Sequence, residues 1–134
     1  MTQKTERKKL DDECMELLKY IVRLRDKRCV THGDSCGGYL TASHWKPRGQ
    51  KQVRYDLRNV NCQCSNCNQR HNHYTSFYDT YMHDHYGEEV CQELNLKASV
   101  VAWKWTIPEL WNIRDALKIY YDDLVRQNEK SLGG

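Results

Sequence analysis

The sequence predicts an α+β protein in which helices at both ends of the chain flank a central segment of short strands. Apolar residues recur at three- and four-residue steps near both termini, as in helices that bury one face. Residues 29–61 instead hold four glycines and a proline without any helical period. We therefore divide one compact domain into an N-terminal helix at 1–28, a core at 29–85 and a helical C-terminal region at 86–134.

The first element is a helix predicted over residues 6–28. Its apolar stripe consists of Leu10, Cys14, Leu17, Leu18, Ile21 and Leu24. Acidic residues come early in this segment and basic residues end it, which suits the helix dipole. In the centre, short strands are predicted near 38–45 and 53–60, joined by a basic loop at 46–51.

Helical patterns return after Cys64. One helix is predicted over residues 66–84 and ends before Gly87, and a short helix follows at 88–95. The final helix starts at Thr106, because Thr106 and Glu109 form a capping-box pattern with Pro108 in the first turn. Its apolar stripe continues to about residue 127.

The composition argues against a membrane or secreted protein and suggests a polyanionic partner. The mean hydropathy is −0.92, and we find neither a membrane-spanning run nor a signal peptide, so we expect a cytoplasmic protein. Residues 1–70 carry 15 Lys and Arg against 8 Asp and Glu, whereas residues 71–134 carry 6 against 10. The first half could therefore face nucleic acid, although solvated helix faces would give the same split.

Seven cysteines in a reducing compartment predict a metal site rather than disulfides. Cys64 and Cys67 form a C-x2-C pair, and Cys29 and Cys36 form a second pair at C-x6-C spacing. Four thiolates make a closed tetrahedral zinc site that adds folding free energy. There are two rival ligand sets. In one, His32 takes the place of Cys36, and in the other, Cys62 takes the place of Cys64. Cys64 is preferred because its gap to Cys67 fits a knuckle turn.

The residues around the cysteines resemble the HNH, or ββα-metal (His-Me finger), nucleases of the zinc-clipped type, in which zinc holds the strands to a helix. The resemblance rests on the order of a strand histidine, an N-x4-C segment and an asparagine after the last cysteine: His44, Asn59, Cys64, Cys67 and Asn68. It implies a ββα core in which His44 activates water and Asn59 orients that histidine. It also implies that Asn68 helps to hold a catalytic Mg²⁺ or Mn²⁺, and His71 could be a second ligand, with Asn72 as the competing choice.

One position departs from that pattern. Many of these nucleases have Asp or His directly before the base, as a metal ligand, and this chain has Ser43. Ser43 leaves three alternatives: the site binds its ion through fewer protein groups, His44 itself is a ligand, or catalysis is impaired.

A longer resemblance, over about residues 20–125, is to the lambdoid phage NinG (Rap) recombination family. Its core segments are Ser43-His44-Trp45, Arg58-Asn59-Val60 and Cys67-Asn68-Gln69, and its tail includes Lys104-Trp105-Thr106-Ile107-Pro108-Glu109. The C-x6-C spacing departs from that family's usual C-x2-C. The resemblance implies a phage endonuclease that acts on branched recombination intermediates such as Holliday junctions and D-loops.

We therefore expect a metal-dependent DNA endonuclease with structural zinc and a catalytic Mg²⁺ or Mn²⁺. Paired cuts in a junction need two active sites, so a homodimer is expected, with the terminal helices as the obvious interface. The basic residues expected to grip phosphates are Lys46, Arg48, Lys51, Arg54 and Arg58. The alternatives are a zinc-stabilised module that binds branched DNA without cutting it, and a nicking or homing-type HNH endonuclease.

Overall fold

A computed structural model describes residues 2–33 and 36–133 of the chain. Met1, where the predicted N-terminal segment starts, and Gly134, where the predicted C-terminal region ends, therefore lie outside the described residues. So do residues 34 and 35, which lie between Cys29 and Cys36. The structure is a mixed α+β fold, as predicted, with a two-stranded sheet among its helices. Its elements are α1 (Gln3–Asp26), β1 (Leu40–His44), β2 (Val60–Cys64), α2 (Ser65–His71), α3 (Ser76–Tyr86), α4 (Glu88–Ala98) and α5 (Ile107–Gly133).

The sheet is an antiparallel pair in which Leu40 lies opposite Cys64 and His44 lies opposite Val60. All five residues of β2 are buried. Side chains alternate along a strand, so Val60, Cys62 and Cys64 share one face, and Asn61 and Gln63 share the other. The sheet thus carries apolar side chains and thiols on one side and amides on the other.

The terminal helices α1 and α5 pack lengthwise against each other and cover the first of these faces. Their apolar stripes meet in a core that includes Leu18, Ile21, Leu117, Val60 and Cys62. The apolar faces of α1 and α5, which were expected to form a dimer interface, therefore pack largely against each other within one chain. A second core lies under α3 and α4 and contains Trp45, Val53, Tyr78, Met82, Cys91, Leu94 and Ala98.

The last turn of α1 attaches that helix to the sheet through polar contacts. Arg23 donates to the Leu40 carbonyl at 2.7 Å, and Arg25 donates to the carbonyls of Leu57 and Val60 at 2.9 and 3.0 Å. The Asp26 carboxylate accepts from the Cys62 N–H at 2.9 Å. These contacts fix the start of β2 relative to the helix.

Several predicted bounds are wrong. The predicted strand at 53–60 is a 3₁₀ turn at Lys51–Val53 followed by further turns, and β2 begins only at Val60. The predicted helix at 66–84 is two helices, α2 and α3, because the chain turns between His71 and Ser76. The short helix predicted at 88–95 continues to Ala98. Within the described residues, no helix is long and apolar enough to span a membrane.

Candidate metal centre and active site

Four cysteines from separate parts of the chain meet at one end of the sheet. Cys29 follows α1, Cys36 precedes β1, Cys64 ends β2 and Cys67 lies in the first turn of α2. Their sulfur atoms all lie within 4.8 Å of one another, and the Cys36 and Cys67 sulfurs are 3.6 Å apart. Zn–S bonds of about 2.3 Å place tetrahedral sulfurs about 3.8 Å apart. The predicted cysteines therefore fit a metal ion such as zinc.

Backbone N–H groups around the cluster stabilise negative sulfur. Gly37 and Cys67 each donate an N–H to the Cys64 sulfur at 3.4 Å, and Gly33 donates to Cys36 at the same distance. Burial opposes the thiolate form of Cys64, but the N–H groups of Gly37 and Cys67, together with the thiols of Cys67 and Cys36, hold the pKa of the Cys64 thiol at about 6. Thiolates are the form that ligates metal.

The two rival ligands lie elsewhere. Cys62 shares a face of β2 with Cys64 but lies two residue pairs before it in the strand, where it packs into the core beneath α1. Burial raises the pKa of Cys62 to about 11, which suits an inert thiol. His32 lines a neighbouring depression with Phe77 and Tyr81 instead of joining the cluster. Among the described residues, the four predicted cysteines form the sole group of three or more His, Cys, Asp or Glu side chains at metal-binding distances.

His44 ends β1 with its imidazole partly buried. Its Nε2 lies 2.9 Å from the Arg54 carbonyl oxygen. A carbonyl can only accept, so Nε2 carries the proton and Nδ1 keeps its lone pair. Burial, assisted by the charges of Arg48 and Arg54, lowers the pKa of His44 to about 4. The imidazole is therefore neutral at physiological pH.

Asn59 is fully buried and holds the segment that follows His44. Its Oδ1 accepts from the Lys46 N–H at 2.9 Å, and its Nδ2 donates to the carbonyls of Lys46 and Val53, both at 3.1 Å. Its own carbonyl accepts from the Trp45 N–H at 2.8 Å. Asn59 thus fixes the backbone on both sides of the loop, and none of its hydrogen bonds among the described residues reaches the His44 ring.

A groove of about 560 Å³ runs beside His44 between the loop after β1 and the helices α2 and α3. It brings together His44 with most of the other predicted polar residues of the site. The polar and charged side chains along it are His44, Lys46, Arg48, Gln50, Asn68, His71, Asn72, Thr75 and Asp79.

Asn68 lies on the wall of this groove, held against β1. Its Nδ2 donates to Thr41 Oγ1 at 3.0 Å, and its Oδ1 lies 2.9 Å from Ser43 Oγ. The buried Ser43 hydroxyl also lies 2.5 Å from Gln63 Oε1, so its single proton serves two amide oxygens. Ser43 therefore orients Asn68, and the Asn68 carbonyl retains a second lone pair.

His71 and Asn72, the two competing ligands, differ in their surroundings. His71 Nε2 donates to the Trp45 carbonyl at 2.9 Å, which leaves Nδ1 as a lone-pair atom. That Nδ1 is buried without a hydrogen-bond partner among the described residues. Asn72 is exposed and follows the last turn of α2. The buried, unpartnered Nδ1 favours His71 as the atom that a cation would satisfy.

The groove also contains Asp79, a carboxylate that the sequence analysis missed. Its Oδ1 accepts from the Trp45 indole N–H at 2.7 Å and its Oδ2 accepts from the Thr75 hydroxyl at 3.0 Å. Asp79 lies on α3, 35 residues after His44, and it is not part of the His44, N-x4-C and Asn68 pattern from which the site was predicted. Its position next to Trp45 follows from tertiary packing alone.

The five predicted phosphate-binding residues fall into two groups. Arg54 forms two bonds of 2.8 Å with the Asp11 carboxylate, and Arg58 pairs with Asp56 and Glu93 at 2.9 and 2.7 Å. Both guanidinium groups are thus occupied by internal ion pairs. Among the described residues, Lys46, Arg48 and Lys51 form no ion pair. Lys46 and Arg48 line the groove, whereas Lys51, at the end of the same loop, lines a separate depression.

Comparison with known proteins gives one match. A family model described as Bacteriophage Lambda NinG protein matches residues 2–129. No curated protein and no solved structure gives a significant match to the chain. The matched region contains the four cysteines and the entire groove.

Proposed function

The chain belongs to the bacteriophage lambda NinG family, and we propose that this phage recombination-related protein is a metal-dependent DNA endonuclease. It is an HNH-type enzyme that hydrolyses phosphodiester bonds in branched recombination intermediates such as Holliday junctions and D-loops. The observation that carries the proposal is the groove in which His44, Asn68, His71 and Asp79 lie together beside unpaired basic side chains.

His44 is the general base. The Arg54 carbonyl holds the proton on Nε2, so the Nδ1 lone pair is available to take a proton from water. The low pKa keeps this imidazole neutral at the pH of a bacterial cytoplasm. Asn59 is a positioning residue, because it fixes the Trp45 and Lys46 backbone next to the base.

Asn68 and His71 would hold the catalytic Mg²⁺ or Mn²⁺, which supplies Lewis-acid stabilisation of the phosphate and the leaving oxygen when bound. An amide oxygen suits such an ion, which keeps several waters, and the His71 nitrogen would add a softer ligand. Asp79 adds a carboxylate to the groove that Ser43 does not provide. Ser43 and Thr41 keep the Asn68 amide oriented.

The four thiolates would hold structural zinc. A zinc ion held by four cysteines would have no open position for substrate. It would join the end of α1, the start of β1 and the start of α2, and so would fix Asn68 relative to His44. Lys46, Arg48 and Lys51 contact DNA phosphates from the loop beside the groove. A homodimer would present two such grooves to the two strands of a junction.

The test is cleavage of a labelled four-way junction and a matched linear duplex by zinc-loaded protein. Mg²⁺ or Mn²⁺ is added after dialysis against metal-free buffer, and zinc content is measured so that its loss is not mistaken for loss of the catalytic ion. We expect metal-dependent cutting that favours the junction. His44→Ala should abolish cutting and retain binding, whereas His73→Ala, on the exposed turn after α2, should cut normally. Cutting that survives in His44→Ala would contradict the role of His44.

A second candidate is a module that binds branched DNA without cutting it. Ser43 favours this alternative, because its hydroxyl is committed to Asn68 and Gln63 where related nucleases place a metal ligand. Junction binding with no cutting under either ion would select this function. A third candidate, a nicking or homing-type HNH endonuclease, predicts sequence-specific cutting of linear duplex in the same assay.

A further inference from the structure

A second, strongly basic depression lies on the other side of the loop that follows β1. This cleft has a volume of about 360 Å³ and is walled by the first turns of α1, the loop at 46–51 and the segment before α5. Six cationic side chains contributed by these three segments line it: Lys4, Arg7, Lys8, Arg48, Lys51 and Lys104.

The single acid that lines this basic cleft is already neutralised. Asp11 accepts two bonds of 2.8 Å from Arg54 and one of 2.5 Å from the Tyr55 hydroxyl. Lys8 pairs with Asp12 at 2.8 Å on the exposed face of α1. Among the described residues, the other five cations form no ion pair, so their positive charge is not cancelled within the cleft: Lys4, Arg7, Arg48, Lys51 and Lys104. Such a concentration of like charge disfavours the folded state unless it attracts an anion.

The walls are fixed to one another before any ligand arrives. The Trp105 indole N–H donates to the Lys51 carbonyl at 2.8 Å, and Arg7 donates to the Trp105 carbonyl. The rings of Tyr55 and Trp105 lie 6.4 Å apart, centroid to centroid. The N-terminal helix, the basic loop and the segment before α5 are thus joined through one tryptophan.

The cleft and the candidate active site share one lining residue, Arg48. This side chain lines the cleft and also the groove of His44, and its charge lowers the pKa of His44. A polyanion could therefore pass from the groove across Arg48 into the cleft. A small phosphate compound would need one focal set of donors, whereas cations spread over three segments suit a repeating phosphodiester backbone.

We propose that this cleft binds the phosphate backbone of a second DNA segment of the same substrate while the groove holds the segment to be cut. The inference rests on the proposed function and deepens it, because a second segment near the first is what distinguishes a branch from a linear duplex. Lys4, Lys8 and Lys104 contact this second segment, and Arg48 lies between the two segments.

The test compares two triple variants, each of which removes three positive charges, in the His44→Ala background. Lys4→Gln/Lys8→Gln/Lys104→Gln alters the cleft. Lys97→Gln/Lys118→Gln/Lys130→Gln removes the same charge from α4 and α5, away from the cleft. Fluorescence anisotropy measures the affinity for a labelled four-way junction and a short duplex between 50 and 300 mM salt, after circular dichroism shows that each variant is folded.

The cleft variant should bind the junction at least tenfold more weakly than the control variant does, with little change for the short duplex. Its plot of log affinity against log salt should be shallower by about 2–3, since each phosphate contact contributes about 0.9 to that slope. Equal losses in both variants, or equal losses for junction and duplex, would overturn the inference. So would unchanged junction binding together with lost binding of a labelled polyglutamate peptide, which would assign the cleft to an acidic protein.

This experiment measures binding alone, so its outcome is independent of whether the wild-type protein cuts DNA. A protein that fails to cut but shows the cleft-dependent junction preference would refute the proposed catalysis and retain the second DNA site.

Discussion

At the scale of single residues, His44 shows how burial sets the protonation state of an imidazole. The Arg54 carbonyl fixes its tautomer, and burial lowers the pKa from the usual 6.5 to about 4. A neutral imidazole can act as a base without first losing a proton. The neighbouring Ser43 acts differently, because its hydroxyl orients Asn68.

The pKa shift of His44 makes a measurable prediction. The unfolded chain takes up a proton near pH 6.5 and the folded chain only near pH 4, so His44 lowers the free energy of unfolding as the pH falls through this window. We expect the His44 ring resonance in NMR spectra of zinc-loaded protein to keep its neutral-form shift at pH 5.5. His44→Ala assigns the signal, and a midpoint near 6.5 would contradict the burial argument.

Asn59 carries a second prediction. Asn59→Ala leaves the Lys46 N–H and the Lys46 and Val53 carbonyls without their partner. Each buried group left unsatisfied costs about 1–3 kcal/mol, and partial access of water reduces the sum. We expect the free energy of unfolding to fall by about 2–4 kcal/mol in urea titrations, together with loss of cleavage. Normal stability of Asn59→Ala would contradict this structural role.

At the scale of elements, Gly38 allows the segment that contains Cys36 to approach α2 closely. Gly38 has a φ of +84°, and a Cβ there would lie 1.9 Å from Ser65 Oγ. This close approach lets the Tyr39 carbonyl accept from the Ser65 N–H at 2.7 Å and the Gly37 carbonyl accept from the Asn66 N–H at 3.2 Å. Cys36 is thereby brought to Cys64 and Cys67.

Gly38→Ala should therefore weaken both the fold and the zinc site. The left-handed backbone alone costs about 1–2 kcal/mol for an L-residue, and displacement of Ser65 adds to it. We expect a loss of about 2–4 kcal/mol in unfolding free energy and a faster release of zinc to a chromophoric chelator. Gly49→Ala is the matched control, because nothing lies within 4 Å of a Cβ at that position. Equal effects of the two substitutions would refute the argument.

The elements also show which parts of the fold the sequence could predict. Cysteine spacing predicted the thiol cluster, and apolar periodicity predicted α1 and α5, because both patterns are local. Val53, Tyr55 and Leu57 alternate as in a strand, yet the Asn59 side chain binds the Val53 carbonyl and the segment forms turns. Asp79 lies in the groove because it accepts a hydrogen bond from Trp45, and no residue spacing in the sequence predicts this contact.

At the scale of the whole molecule, two apolar cores and a cysteine cluster hold the chain together. The α1–α5 core is separate from the core beneath α3 and α4. The cysteine cluster connects the strands to α2 between them. In a polar chain of 134 residues, a metal ion bound at this place would contribute a large share of the folding free energy.

Removal of zinc should therefore unfold the molecule in part. We expect chelation to remove the near-ultraviolet dichroism of the aromatic residues around the groove, while the α1–α5 pair keeps much of the helical signal. Cys36→Ser should lower the zinc content and the unfolding temperature, whereas Cys91→Ser, in the core beneath α4, should keep one zinc per chain. An unchanged unfolding temperature after complete zinc loss would show that the cluster is not structural.

The alternation of side chains along β2 has a consequence for how the chain finds its fold. Thiols and a valine occupy one face, and the other carries Asn61 and Gln63, whose amides bind Tyr78 and Thr31. A slip of one residue in pairing with β1 would bury both amides under α1 and remove Cys64 from the other thiols. A misaligned hairpin would therefore not bring the four thiols together, so a metal ion that needs all four would bind only the chain with the correct strand register.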